Sequence, residues 1–116
     1  MTFLLALLVG CAEPEITTRT LTDEGVVCLT GDEAVVQFPG CLSSSCDTVV
    51  SSSCTVTLEG DTLQVHAEAT IEHQGTACTD DCGAITARCD APDGAANVSY
   101  AGETSTVAEA ACIDGL

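Results

Sequence analysis

Nine cysteines in a chain of 116 residues limit what this sequence can fold into more than any other feature. Cys11 directly follows an apolar run, and the other eight are spread over the rest of the chain. An even set of eight in a short chain predicts a framework of four disulfides, whose pairing the sequence alone does not determine. These eight are Cys28, Cys41, Cys46, Cys54, Cys78, Cys82, Cys89 and Cys112.

The N-terminal apolar run has the form of an export signal. Residues 3–9 read FLLALLV. A membrane-spanning helix needs about 20 apolar residues, so this run is too short to span and has the length of a signal-peptide hydrophobic region. Leu8-Val9-Gly10-Cys11 resembles the lipobox of bacterial lipoproteins, in which the cysteine is acylated and the chain is cut just before it. A buried strand and a secretory signal without lipid are the alternatives.

This resemblance implies a domain organisation and a location. Residues 1–10 would be a signal peptide, residues 11–15 a tether lipidated at Cys11, and residues 16–116 a disulfide-rich β domain. The chain is similar to the small cysteine-rich lipoproteins of Gram-negative bacteria. We therefore expect a cell-envelope location at the outer membrane, facing either the periplasm or the surface. Cysteine parity favours the same oxidising compartment, because setting Cys11 aside leaves an even number.

The remaining chain has few large apolar side chains. Only 21 of residues 11–116 are Val, Ile, Leu or Phe, a share at the border of intrinsic disorder for so acidic a chain. Four disulfides, each contributing roughly 2–4 kcal/mol, would together stabilise the chain by on the order of 10 kcal/mol. We therefore expect the covalent bridges, rather than the core, to decide whether the chain folds.

Alternation of apolar and polar residues predicts strands throughout. The clearest case is residues 62–73, where five apolar side chains share one face and polar ones share the other. Residues 50–58 alternate in the same way, with residues 50, 52, 54, 56 and 58 on the apolar side. Shorter candidate strands are residues 17–21, 26–30, 34–38, 84–89, 98–100 and 104–107.

The two long strands form a hairpin whose register follows from the pattern. A two-residue turn at Gly60-Asp61 places Leu58 opposite Leu63 and keeps both apolar sets on one face, whereas a three-residue turn would invert one strand. Parity then places Cys54 and Cys89 on inward faces, which leads to the hypothesis of a Cys54–Cys89 bridge through the core. Seven or eight short strands predict an all-β, disulfide-stapled sandwich. Its hairpin around Tyr100 resembles the last two strands of immunoglobulin-like domains.

Few residues carry a recognisable chemical motif. Cys78 and Cys82 have a spacing seen in zinc sites, with Cys89 nearby, but no second pair completes a tetrahedral set, so disulfides are favoured. His66 and Glu68 share a polar strand face, which favours a solvated surface over a weak cation site. Nothing in the sequence around His73 positions it as a base. We therefore expect no catalytic residues, no resident metal and no cofactor.

Charge narrows the range of partners. The formal net charge is −16, with two basic residues in the whole chain, so nucleic-acid binding through a basic face is excluded. The sequence predicts a lipid-anchored envelope protein, not an enzyme, with a structural or interaction role and an envelope protein or glycan as partner. The alternative is a module that binds a divalent cation or a glycan through the acidic loops near Asp80 and Asp93.

Overall fold

The structure is a computed structural model that describes residues 15–113. Within this range the regular elements are eight β-strands in two sheets. The predicted signal peptide and the predicted lipidation site Cys11 lie outside the described residues. The strands are β1 (Ile16–Thr22), β2 (Val26–Thr30), β3 (Glu33–Gln37), β4 (Asp47–Glu59), β5 (Thr62–Gln74), β6 (Thr86–Asp90), β7 (Asn97–Tyr100) and β8 (Glu103–Thr106).

The prediction of an all-β chain is confirmed, and most strand positions agree closely. Each of the six shorter strands is present with its ends displaced by at most two residues. The β4–β5 hairpin has the predicted register, with Glu59 opposite Thr62 and Leu58 opposite Leu63 across the Gly60-Asp61 turn. The apolar face of β5 is buried as predicted, and it consists of Leu63, Val65, Ala67, Ala69 and Ile71.

β4 contains a bulge that the sequence pattern did not reveal. From Ser51 onward the strand pairs as predicted, but between Val49 and Ser51 the register shifts by one residue. Val50 is the extra residue, and it is 48% exposed, so the prediction that it shares the apolar face of Cys54 is wrong. A bulge changes which side chains face inward beyond it, because strand side chains alternate with a period of two.

The two sheets share one apolar core. In the larger sheet β5 pairs with β4 along one edge, and with β1 and the start of β7 along the other; β8 then pairs with β7. The smaller sheet has the order β2-β3-β6. Val36, Phe38 and Ile85 from the second sheet or its flanks pack in the same cluster as the inward residues of β5.

Four disulfides close the fold. Cys54 in β4 is bonded to Cys89 in β6, which confirms the predicted Cys54–Cys89 bridge. This bond joins the larger sheet to the smaller one. Cys28–Cys112 ties the C-terminal segment to β2, where Leu29 and Ala110 are also joined through their backbones at 2.7 Å. The remaining two bridges, Cys41–Cys82 and Cys46–Cys78, lie together at one end of the molecule.

Tyr100 fixes the connection between β1 and β2. Its side chain is buried, and its hydroxyl donates a hydrogen bond of 2.7 Å to the carbonyl oxygen of Glu24. Burial, reinforced by the negative charges of Asp23 and Glu24, raises the pKa of Tyr100 to about 12. The neutral phenol is therefore part of the packed state, because the ionised form would be a charge without a partner in the core.

Gly25 allows the backbone before β2 to approach β3 closely. Its φ is +88°, and a Cβ at this position would lie 2.0 Å from the carbonyl oxygen of Gln37. Only glycine tolerates both the left-handed backbone and this contact.

We expect Gly25→Ala to lower the free energy of unfolding by roughly 3 kcal/mol, combining backbone strain with displacement of β3. Gly102→Ala is the matched control, because Gly102 has a φ of +84° with nothing within 4 Å of the added Cβ. Gly102→Ala should lower the free energy of unfolding by only about 1 kcal/mol. Urea denaturation of both variants measures the difference, and equal losses would contradict the close contact.

Tyr100 can be titrated without interference, because the chain has one Tyr and no Trp. Tyrosinate absorbance should rise near pH 12 in the folded chain and near pH 10.0 in urea. Since the folded-state pKa lies above the unfolded one, the stability contribution is complete below pH 10 and is lost as pH rises toward 12. In Tyr100→Phe, the free energy of unfolding should fall less between pH 10 and 12 than in the wild type. Ionisation of Tyr100 near pH 10 in the folded chain would contradict its burial.

Candidate functional site: a histidine beside the Cys46–Cys78 disulfide

The described residues have one end where cysteines are concentrated, which we call the cysteine-rich end and define as residues 41–47 and 73–83. Its two segments are joined by reciprocal backbone hydrogen bonds between Leu42 and Gly83, at 2.9 and 2.8 Å. The disulfides Cys41–Cys82 and Cys46–Cys78 join the same two segments. The end is therefore held together both by backbone bonds and by two covalent bridges.

The bulge in β4 places a carboxylate opposite a histidine at this end. With the one-residue shift, Asp47 lies directly opposite His73 of β5, and both face the same side of the sheet as Ile71. Without the shift, Thr48 would occupy that position and Asp47 would point to the other face. The pairing of Asp47 with His73 thus depends on the extra residue Val50.

Asp47 is held by two contacts to its carboxylate. Oδ2 accepts a hydrogen bond of 2.7 Å from the backbone N–H of Ser43, and Oδ1 lies 2.7 Å from Nδ1 of His73. The Ser43 N–H lowers the pKa of Asp47 most, followed by the hydrogen bond from His73. Only 9% of the Asp47 side chain is exposed, against 44% for His73, so the carboxylate is fixed beneath an accessible ring.

The ring of His73 points its second nitrogen at a carbonyl and a sulfur. Nε2 lies 3.1 Å from the carbonyl oxygen of Gly75 and 3.9 Å from Sγ of Cys78. Nε2 therefore faces both a carbonyl oxygen and one sulfur of the disulfide, while Nδ1 faces Asp47. Asp47, which is 26 residues away in the sequence, orients His73 against the disulfide, a contact that the sequence around His73 does not reveal.

Gly75 lets the chain turn closely past the disulfide. Its φ is +109°, and a Cβ there would lie 3.3 Å from Sγ of Cys46. A surface cleft of about 350 Å³ opens beside this point and is lined in part by Ser45, Cys46 and Gly75. Cys46 itself is buried and Cys78 is half-buried, so solvent reaches the bridge mainly from the Cys78 side and the cleft.

Three potential metal ligands converge here. One ligand atom each of Cys46, His73 and Cys78 lies within 4.8 Å of the others, and this is the one such group among residues 15–113. The sequence spacing does not indicate this group, because Cys46 lies in one segment and His73 and Cys78 lie in the other. Only the β4–β5 pairing and the Cys46–Cys78 disulfide bring the two segments together.

Comparisons with protein-family models, curated proteins and solved structures find no match to the chain. Among the described residues, no helix has the length and apolar character needed to cross a membrane. What the chain can do is therefore inferred from its own residues.

The zinc set considered from the sequence is not present among the described residues. Cys78, Cys82 and Cys89 do not share one site, because each is bonded to a different partner from the first half of the chain. His66 lies on the exposed strand face as predicted, with Nδ1 3.3 Å from Oδ2 of Asp23. Thr22 donates a long hydrogen bond of 3.4 Å to Glu68 beside it.

The acidic loops are exposed. Asp80 and Asp93 both lie on the surface, and neither belongs to a cluster of three or more potential ligands in the part of the chain that the structure describes. Their neighbour Asp81 has a structural role: it accepts hydrogen bonds from the Thr79 hydroxyl and the Ser44 N–H, which lower its pKa to about 2. Asp81 is thus hydrogen-bonded to the run of serines at residues 43–45, whereas Asp80 and Asp93 are exposed to solvent.

Asp47→Asn tests the importance of the histidine contact. We expect this variant to lower the free energy of unfolding by about 2 kcal/mol at neutral pH, the scale of hydrogen bonds to a charged group. Because the pKa of Asp47 is lower in the folded chain than its ordinary 3.8, its contribution is complete above that value and disappears as pH falls through the folded pKa.

Chemical denaturation between pH 2 and 7 measures this effect. The wild type should lose stability on acidification more steeply than the variant. Asp80→Asn is the matched control, because Asp80 is exposed and makes no hydrogen bond to a described side chain. Equal acid dependence in the wild type and Asp47→Asn would contradict the assigned contact.

Proposed function

We propose that this chain is a lipid-anchored cell-envelope protein, carrying a disulfide-stapled β-sandwich that acts as a structural or interaction module. The observation that supports the anchor is the disulfide pairing. All eight cysteines from Cys28 to Cys112 are bonded among themselves, so none in the described part of the chain is left to pair with Cys11. A ninth cysteine within a lipobox-like motif is then best explained as the acylated residue.

The disulfides also indicate the kind of compartment. Four bridges in one small domain are typical of a non-reducing, extracellular or envelope environment. An envelope location combines this environment with a membrane surface to which the acyl chains attach. Two acyl chains or more would make that attachment effectively permanent, since one chain alone gives only reversible binding.

The tether sets how far the module extends from the membrane. β1 begins at Ile16, five residues beyond Cys11. Five extended residues span at most about 18 Å, so the domain would stay close to the lipid headgroups. With a net charge of −16, it would be repelled by anionic headgroups and would present its acidic surface outward, toward cationic or neutral partners.

The outer face of the larger sheet is the surface best suited to contact a partner. β1, β5 and β4 carry hydroxyl side chains in register there: Thr20 lies opposite Thr70, and Ser51 lies on the other side of Thr70. The Thr20 and Thr70 hydroxyls are 3.2 Å apart. This polar face suits the predicted envelope-protein or glycan partner. The resemblance to immunoglobulin-like domains stays a prediction. A cation site at Asp80 and Asp93 also stays a prediction, because neither residue belongs to a cluster of potential ligands among the described residues.

Incorporation of labelled fatty acid tests the anchor. We expect the wild-type chain, expressed in a Gram-negative host, to carry label and to sediment with membranes. Cys11→Ser should lose both label and membrane association. Cys41→Ser is the matched control, because it removes an exposed cysteine that belongs to a disulfide and should keep both. Membrane association retained in Cys11→Ser would show the proposal to be incorrect.

A further inference from the structure

We propose that the cysteine-rich end is a redox-controlled metal site. When the Cys46–Cys78 disulfide is opened, Sγ of Cys46, Sγ of Cys78 and Nε2 of His73 bind one borderline-soft divalent cation such as Zn²⁺. When the disulfide is closed, the site is blocked because both sulfurs are bonded to each other. This proposal does not depend on the lipid anchor.

The ligand types and their spacing suit zinc. Zinc takes thiolate sulfur at about 2.3 Å and imidazole nitrogen at about 2.0 Å, so sulfur and nitrogen ligands of a tetrahedral ion lie about 3.5 Å apart. Nε2 of His73 already lies 3.9 Å from Sγ of Cys78. The Cys46 sulfur is in the same cluster, within 4.8 Å of the other two ligand atoms. Three protein ligands leave the fourth position to water.

Asp47 contacts the ring nitrogen of His73 that would not bind the metal. Metal-binding histidines commonly donate their other ring N–H to a carboxylate, which fixes the ring and raises its basicity as a ligand. Here Nδ1 of His73 donates to Oδ1 of Asp47 at 2.7 Å, and Asp47 is fixed in turn by Ser43. Nε2 is thereby the nitrogen that faces the sulfurs. Asp47 is a positioning residue and not a ligand.

The surrounding frame does not depend on the disulfide that must open. The Cys41–Cys82 bridge and the Leu42–Gly83 backbone pair still join the two segments. The backbone N–H of Gln74 donates to the carbonyl oxygen of Cys46 at 2.9 Å, which keeps Cys46 beside β5. Opening Cys46–Cys78 therefore frees two thiols while leaving their backbones close to His73.

The chemistry balances with a thiol reductant. Two molecules of a monothiol such as glutathione supply two electrons and two protons, leave as their own disulfide, and convert the Cys46–Cys78 bridge to two thiols. The cation then binds two thiolates and the lone pair of Nε2. The two thiol protons pass to solvent as the thiolates bind the cation, so binding weakens as pH falls.

Linked redox titration tests the proposal on the full chain. The oxidised protein is equilibrated without oxygen in glutathione buffers of graded ratio, with and without Zn²⁺ at about 100 times its dissociation constant. Alkylation and peptide mapping then measure each disulfide separately. By linkage, Zn²⁺ should increase the dithiol-to-disulfide ratio of Cys46–Cys78 about 100-fold at a given buffer. The ratios of Cys54–Cys89 and Cys28–Cys112 should not change.

Two histidine variants provide the matched comparison. In His73→Gln, the increase that Zn²⁺ causes in the dithiol-to-disulfide ratio of Cys46–Cys78 should be at least tenfold smaller than in the wild type. His66→Gln should keep that increase, because His66 is also on β5 and also faces an aspartate, but has no sulfur in its cluster. Asp47→Asn should weaken Zn²⁺ affinity by about 10-fold to 100-fold. Maps of the oxidised variants, each with four disulfides, establish that they have folded.

A spectroscopic measurement provides a readout independent of stability. Co²⁺ added to the wild-type chain at a glutathione ratio where peptide mapping finds only Cys46–Cys78 open should give thiolate-to-cobalt charge-transfer absorption, and Cys46→Ser under the same conditions should abolish it. The proposal is overturned by an equal Zn²⁺ effect on Cys41–Cys82, by an unchanged effect in His73→Gln, or by the absence of charge-transfer absorption. A selective effect on Cys46–Cys78 that depends on His73 supports it.

Discussion

The disulfide between Cys54 and Cys89 joins the two sheets where their facing side chains are small. Cys54 is paired across β4 and β5 with Ala67, and Cys89 is paired across β3 and β6 with Ala34. Six of the sixteen buried apolar residues of the described chain are alanines, which remove little apolar area from water. Close approach of the sheets thus gives limited hydrophobic stabilisation, and a covalent bond holds the layers together instead.

The other bridges follow from the same shortage of apolar area. Cys28–Cys112 holds the C-terminal segment along β2, where one backbone pairing alone would be marginal. Cys41–Cys82 and Cys46–Cys78 secure an end built from serine- and aspartate-rich loops. A site of His73, Asp47 and two sulfurs arises at that end because the bridges bring polar segments together that no core would hold.

Local patterns predicted the fold better than the site. The alternation in residues 62–73 and the Gly60-Asp61 turn sufficed to give the register of the β4–β5 hairpin, because one buried face fixes pairing. The bulge at Val50 was missed, since a run of Val and Ser suits either face of a strand. That single omission hid the site: with the unbulged register, Asp47 would face away from His73. The convergence of Cys46 and Cys78 on the ring also depends on pairing that spacing does not reveal.

The order of the disulfide partners has a consequence for how the protein is made. The four cysteines from Cys28 to Cys54 all pair with the four from Cys78 to Cys112, and none pairs within its own half. As the chain is synthesised from its N-terminus, no native bridge can close until residue 78 has emerged. Up to that point the thiols of Cys28, Cys41, Cys46 and Cys54 have only one another as partners within residues 28–77, and every bridge among them is non-native. Any such early bridge must be opened again before the native set can form.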